Sequence, residues 1–201
     1  EPLFNDTHLK KLLREKRDLP GIDFRHEEQL SFLEGLTYQK DFDMFLGKQK
    51  SINSNIRFIL ENDSFESGDA EFLFNLVRHL KPARVIEIGC GASTKLISAA
   101  LDLNSSEIGK RGAHICIEPY KQPWLTSFKN IELLRQKVEE VNIKLFTSLD
   151  SNDLLFIDSS HIIRPQGDVL YEYLEIVPKL KKGVFKTIKK KAIYIDNTTA
   201  S

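Results

Sequence analysis

The sequence predicts an α/β fold in which helices cover both faces of a mostly parallel sheet. Three observations carry this. Val85-Ile86-Glu87-Ile88, Ala113-His114-Ile115-Cys116-Ile117 and Leu154-Leu155-Phe156-Ile157 are short runs rich in apolar and β-branched residues, as strands buried on both faces require. Amphipathic helical patterns separate these runs, which is the signature of β-α-β units. The stretch from Arg84 to Thr94 reads as strand, tight turn and helix start: Gly89 and Gly91 break the apolar run, and Ser93 or Thr94 can cap the helix beyond the turn.

Taken in order, Asn5, Asp6 and Thr7 offer a cap to a first helix with Leu9, Leu12 and Leu13 at helical spacing. It stops near Asp18, before Leu19-Pro20-Gly21. A second helix starts near Arg25 to Glu27. Leu30, Phe32, Leu33, Leu36, Phe42 and Phe45 give it one apolar face, and Gly47 closes it. Residues 49–61 read as irregular. The expected organisation is a helical N-terminal cap over 1–60, a sheet domain over 61–184 and a Lys-rich tail over 185–201 with at most one strand. Phe72, Leu73, Leu76, Val77 and Leu80 form the inward stripe of a helix that Pro82 ends. Past the glycine turn, a helix runs from Lys95 to about Leu103, then a polar insert from Asn104 to Gly112. Pro123-Trp124-Leu125 begins a helix, Ile131-Glu132-Leu133-Leu134 is a third strand, and Val141, Leu145 and Phe146 mark a short helix. A last helix, capped by Asp168, turns Val169, Leu170, Tyr173, Leu174 and Val177 inward and ends between Pro178 and Gly183. The fifth strand falls on Phe185 to Ile188 or on Lys191 to Ile195.

Bulk composition narrows the function. Hydrophobic content of 41% suits a packed core. Lys plus Arg and Asp plus Glu are both 29, so the cationic excess that phosphate backbones demand is absent and nucleic acid is not an expected partner. The two cysteines, Cys90 and Cys116, form no C-x-x-C pair, and the five histidines do not fall at zinc spacing. A reduced, cytoplasmic chain without a metal is expected. No run approaches the roughly 18 apolar residues of a membrane span, and no signal pattern opens the chain. The chain starts at Glu1 rather than Met, as a trimmed piece would.

The candidate site lies at the strand ends. Glu87 sits near the carboxyl end of a central strand, where a carboxylate is costly without a cationic or hydrogen-bonding partner. An ammonium-bearing ligand would supply one. Glu118 ends the second strand and can accept two hydrogen bonds from a ribose diol. Dinucleotide sites place such an acid about 20 residues past the glycine loop, and here the spacing from Gly91 is 27 residues. The alternative for Glu118 is a charge favouring the next helix dipole. Thr94 occupies the third position of G-x-G-x-x-G, which weakens the case for NAD. Asp158 and His161 come after the fourth strand. Ligands of open α/β sheets bind outside the carboxyl ends at the topological switch point, so these residues should face the crevice of Gly89 and Glu118. His161 is the candidate base, since an unperturbed imidazole titrates near 6.5; a capping or core histidine is the alternative.

Glu87-Ile88-Gly89-Cys90-Gly91 resembles motif I, E-x-G-x-G, of class I S-adenosylmethionine (SAM) methyltransferases. Asn62-Asp63-Ser64-Phe65, Gly68-Asp69-Ala70 and His79-Leu80-Lys81-Pro82 are similar to the type-24 methyltransferase domains, collinear from about Pro20 to Val184. The resemblance implies a Rossmann-like three-layer sandwich and SAM as cofactor. By resemblance, Glu87, Gly89, Cys90, Gly91 and Ser93 form the loop under the methionine part, and Glu118 holds the ribose. Val138 contacts the adenine, Asp158 and Ser159 lie beside the methyl, and His161 with Asp158 carries catalysis. The acceptor would be a small hydroxylated or sugar-like molecule. Catechol-type relatives hold Mg²⁺ between a carboxylate after strand four and an Asp-Asn pair. Asp196-Asn197 matches the pair, but Asp158-Ser159-Ser160-His161 lacks that family's second Asp, so no metal is expected.

After Val184 the resemblance stops. Type-24 domains continue into His-x-His-Asp-Ile, whereas this chain runs from Phe185 to Lys191 without a histidine. The final antiparallel strands are therefore expected to be missing, leaving a sheet edge that a second copy could pair with. Two other functions stay open: a non-catalytic SAM-binding or assembly module of the same fold, and an NAD-dependent enzyme.

Overall fold

The computed structural model describes residues 23, 25–54, 56–62 and 64–188. Among these residues five strands form one sheet: β1 (Arg84–Ile88), β2 (Ala113–Ile117), β3 (Glu132–Leu134), β4 (Leu154–Ile157) and β5 (Phe185–Ile188), in the order β3-β2-β1-β4-β5. All four pairings are parallel. The chain steps outward from β1 through β2 to β3, then returns to the far side of β1 for β4 and β5. The switch point therefore lies at the carboxyl end of β1. Of the two sequence options for the fifth strand, Phe185–Ile188 is observed. Lys191 to Ile195, Asp196-Asn197 and the first expected helix lie outside the described residues.

Side-chain alternation along the strands divides the core. Val85, Leu154 and Phe156 face α3 (Ser67–Leu80) and α4 (Ala92–Ile108), together with Phe42, Phe58, Phe65 and Phe74. Ile86, Ile88, Leu155 and Ile157 face the other way, onto Val138, Phe146, Leu149 and Ile176. Both faces are covered, which explains the unbroken apolar runs of the central strands.

Several elements depart from the sequence expectation. The second helix is two helices, α1 (His26–Glu34) and α2 (Gln39–Lys48), so Gly47 lies inside a helix rather than closing one. The break is held by Asn75 of α3, whose side-chain oxygen accepts the Tyr38 amide at 2.7 Å. The helix after the glycine turn continues through the expected polar insert to Ile108. Asn104 is buried there because its amide donates to the Val77 carbonyl at 2.8 Å and its oxygen accepts from Arg78. Arg78, 1% exposed, also pairs with Asp41 of α2 at 2.8 Å and with Glu107 of α4. One guanidinium thus fastens three helices, using the several fixed donors that Arg alone offers. Pro123 starts only a short 3₁₀ turn, Pro123–Ser127.

The last helix is also broken in character. After the short helix α5 (Ile143–Thr147), α6 (Asp168–Tyr171) passes into a π-helical turn, Glu172–Ile176. The wider turn shifts the helical phase. Tyr173 and Leu174, expected inside, are 42% and 64% exposed, while Glu172 and Ile176 are completely buried. Among the described residues, no helix is long and apolar enough to cross a membrane.

Candidate active site

A cavity of about 280 Å³ opens at the carboxyl ends of β1, β2 and β4. Ile88, Gly89, Ile117, Glu118, Tyr120, Lys137, Val138, Glu139, Asp158, Ser159, Ser160, Arg164 and Asp168 line it. A smaller apolar cavity of about 90 Å³ lies elsewhere, between α1, α3 and β5. Of the sequence candidates, Gly89, Glu118, Val138, Asp158 and Ser159 line the larger cleft. Glu87, Cys90, Gly91, Ser93 and His161 are not among its lining residues.

The glycine turn is shaped by close approach. Gly89 has φ +79°, and a Cβ there would stand 2.0 Å from the Asp158 carbonyl oxygen. The surrounding backbone is tied down: the Gly89 amide donates to Ile117 O at 3.0 Å and the Asp158 amide to Ile88 O at 2.8 Å. Only a residue without a side chain fits between β1 and β4 at this point. α4 starts at Ala92 with Gly91 as its N-cap. Ser93 and Thr94 therefore do not cap by position; the Thr94 hydroxyl oxygen instead accepts the Gly91 amide at 3.1 Å.

Glu118 is fixed by two backbone donors. Its Oε2 accepts the Cys90 amide at 3.0 Å and its Oε1 the Tyr120 amide at 2.9 Å. The tip of β2 is thereby locked to the turn after β1.

Glu87 has a different environment from the one its position suggested. It is completely buried, on the face opposite Ile86 and Ile88. The Ser93 hydroxyl donates to Oε1 at 2.6 Å, His114 Nε2 lies 2.9 Å from Oε2, and the Cys116 thiol contacts Oε2 at 3.6 Å. The chain itself supplies the partners that an ammonium-bearing ligand was expected to bring. Donor atoms of Glu87, His114 and Cys116 lie within 4.8 Å of one another, a spacing a metal ion would tolerate, but hydrogen bonds inside the cluster already join them. A hydrogen bond with Cys90, burial and the Glu87 charge all push the Cys116 thiol up.

The loop after β4 carries the remaining candidates. His161 has φ +59°, and its Nε2 sits 3.1 Å from Asp158 Oδ1. Asp168 accepts the Ser160 amide and hydroxyl at 2.9 and 2.7 Å, which closes the loop. Although burial opposes it, these hydrogen bonds hold the Asp168 carboxyl below its ordinary value.

Behind that loop stands Glu172, which the sequence patterns did not single out. Its Oε2 accepts the Ser159 hydroxyl at 2.9 Å, and Oε1 has no hydrogen-bond partner among the described residues. Burial pushes its pKa up to about 7; the Ser159 hydrogen bond opposes this, and the charges of Asp168 and Glu139 add to it. Folding thus favours the protonated form. The contribution is full below the ordinary value of 4.5 and is lost as pH rises through about 7. Ionised Glu172 then costs up to about 3 kcal/mol. Urea unfolding should find Glu172→Gln as stable as the parent near pH 4.5 and more stable by about 1–3 kcal/mol at about pH 8. Equal stability at both pH values would contradict this.

The cleft thus lies at the switch point of a five-stranded parallel sheet, between the glycine turn after β1 and a fixed acid at the tip of β2. Residues 86–188 match the family model described as a methyltransferase domain, of the type-24 group. An uncharacterized protein of Archaeoglobus fulgidus is 31% identical over 145 residues, 70% of this chain and 63% of that protein. The chain therefore spans less than two thirds of that relative's length. An S-adenosylhomocysteine-bound methyltransferase from Podospora anserina is similar at a TM-score of 0.46 and 14% identity, over 87% of this chain and 73% of that one. A Plasmodium falciparum structure described as a protein-L-isoaspartate O-methyltransferase, in complex with S-adenosylhomocysteine, gives 0.41 and 14%, over 76% and 86%. The chain belongs to the methyltransferase-domain family.

Proposed function

We propose that the cleft binds SAM and that the chain transfers its methyl group to a small hydroxylated or sugar-like acceptor. The observation that carries this is Glu118. Two backbone amides hold its carboxylate at the cleft wall, one of them from the glycine turn. A carboxylate has about four acceptor positions, so two are left for a ribose diol. Gly89 leaves the floor beside it free of a side chain, and Val138 offers an apolar wall for a base. Glu118, Glu139, Asp158 and Asp168 outnumber Lys137 and Arg164 around the cavity, which suits a cationic ligand.

SAM, when bound, supplies an electrophilic methyl. The chain's share is to hold the acceptor close and in line, which can be worth about 7–11 kcal/mol, and to take up the hydroxyl proton. Asp158 engages His161 at Nε2 and leaves Nδ1 to act as the base, on the loop whose Ser159 and Ser160 line the cleft. Glu87, Cys90, Gly91 and Ser93 support the turn from outside the cavity lining.

Calorimetry with SAM, S-adenosylhomocysteine and NAD tests the cofactor. The first two should bind and NAD should not, and Glu118→Ala should weaken SAM at least about tenfold, or ~1.4 kcal/mol. NAD binding without SAM binding would refute the reading. Release of S-adenosylhomocysteine with simple phenols and sugars as acceptors tests transfer. A His161→Ala rate equal to the parent's would exclude that base. SAM binding with no transfer to any acceptor would instead favour the non-catalytic module.

A further inference from the structure

We propose that Glu172 recognises the sulfonium charge of the cofactor and is the residue by which the cleft tells SAM from S-adenosylhomocysteine; this rests on the cofactor reading above. Glu172 is completely buried one hydrogen bond behind the cavity wall, since Ser159 both lines the cleft and donates to Oε2 at 2.9 Å. Oε1 has no hydrogen-bond partner among the described residues. Beyond the Ser159 hydroxyl, the charges that act on it offer no compensation. Asp168 at the start of α6 and Glu139 in the 3₁₀ turn after β3 are acidic, and the neighbouring Tyr173 phenol is itself pushed up, chiefly by burial. A buried carboxyl in such surroundings holds its proton to a higher pH than usual, and a cation brought close to it would favour release.

The two cofactor forms differ in that respect. SAM brings a sulfonium, and the product brings a neutral thioether. Glu172 gives up its proton more readily beside the first and keeps its raised affinity for the proton beside the second. The π-helical turn is what turns this acid inward, in place of the Tyr173 and Leu174 that α-helical phase would have buried. Such turns are rare and recur at functional sites.

Calorimetry of SAM and S-adenosylhomocysteine binding, in two buffers of different ionisation enthalpy at about pH 7, counts the protons exchanged. SAM should release up to about half a proton more than S-adenosylhomocysteine. The affinity ratio of SAM to S-adenosylhomocysteine should rise between about pH 5.5 and 8.5, about tenfold for each unit by which the sulfonium lowers the carboxyl pKa. In Glu172→Gln both ligands should bind, while the Glu172 share of the proton difference and of the pH-dependent ratio disappears. Carboxyl carbon-13 resonances of the unmutated protein give a second measurement: one buried glutamate should titrate at a lower pH with SAM than with S-adenosylhomocysteine. Equal proton release by the two ligands, or a difference that persists in full in Glu172→Gln, overturns the assignment while sparing the cofactor reading. Binding of neither ligand overturns both.

Discussion

Gly89→Ala should unfold the protein or bring it close to unfolding. The new methyl would sit 2.0 Å from the Asp158 carbonyl oxygen and 2.8 Å from its carbon, both backbone atoms. They cannot swing aside, because the Asp158 amide is bonded to Ile88 and β4 is paired with β1 along its whole length. At φ +79° an alanine is strained even in open space, by about 1–3 kcal/mol. Relief of the overlap requires prising apart two central strands, so the total should exceed about 4 kcal/mol, a large part of a domain's stability. Urea unfolding followed by circular dichroism measures it. A loss under about 1 kcal/mol would show that the turn is looser than its geometry implies. Gly91→Ala is the contrast: its added methyl meets nothing within 4 Å.

Glu87→Ala should cost about 3–5 kcal/mol, the usual consequence of removing one partner of a buried pair. The loss strands the His114 ring nitrogen and the Ser93 hydroxyl, both buried, and leaves a void against Cys116. Glu87→Gln should cost less, because an amide can keep the Ser93 contact. Because this side chain is not among the residues lining the cleft, SAM affinity of the folded fraction should stay within about threefold of the parent, ~0.6 kcal/mol. The opposite pattern, unchanged stability with affinity reduced tenfold or more (about 1.4 kcal/mol), would place Glu87 against the cofactor after all.

These two positions show how far the sequence could be read. The apolar runs of β1, β2 and β4 and the bend between β1 and α4 were legible because a strand buried on both faces tolerates little else. Glu118 was legible because it ends such a run. For Glu87 the need for a partner was readable, but its identity was not. His114 and Cys116 lie on the same face only once the register Glu87↔Cys116 is known, and register is a tertiary fact. Glu172 was missed for a related reason. Periodicity of 3.6 residues places Tyr173 and Leu174 inward, and nothing local in Glu172-Tyr173-Leu174-Glu175-Ile176 announces a wider turn. Asn104 likewise reads as loop chemistry until Arg78, 26 residues earlier, is seen to claim it.

Arg78 has a consequence for anyone shortening this chain. Its guanidinium draws one counter-charge from α2 and another from α4, with almost no water to replace either. A version cut to begin at α3 would retain that cation and discard Asp41, and it would also bare the aromatic face that Phe42 and Phe45 cover on Phe74. The segment ahead of the sheet is therefore no dispensable appendage, and a minimal fragment has to include α2.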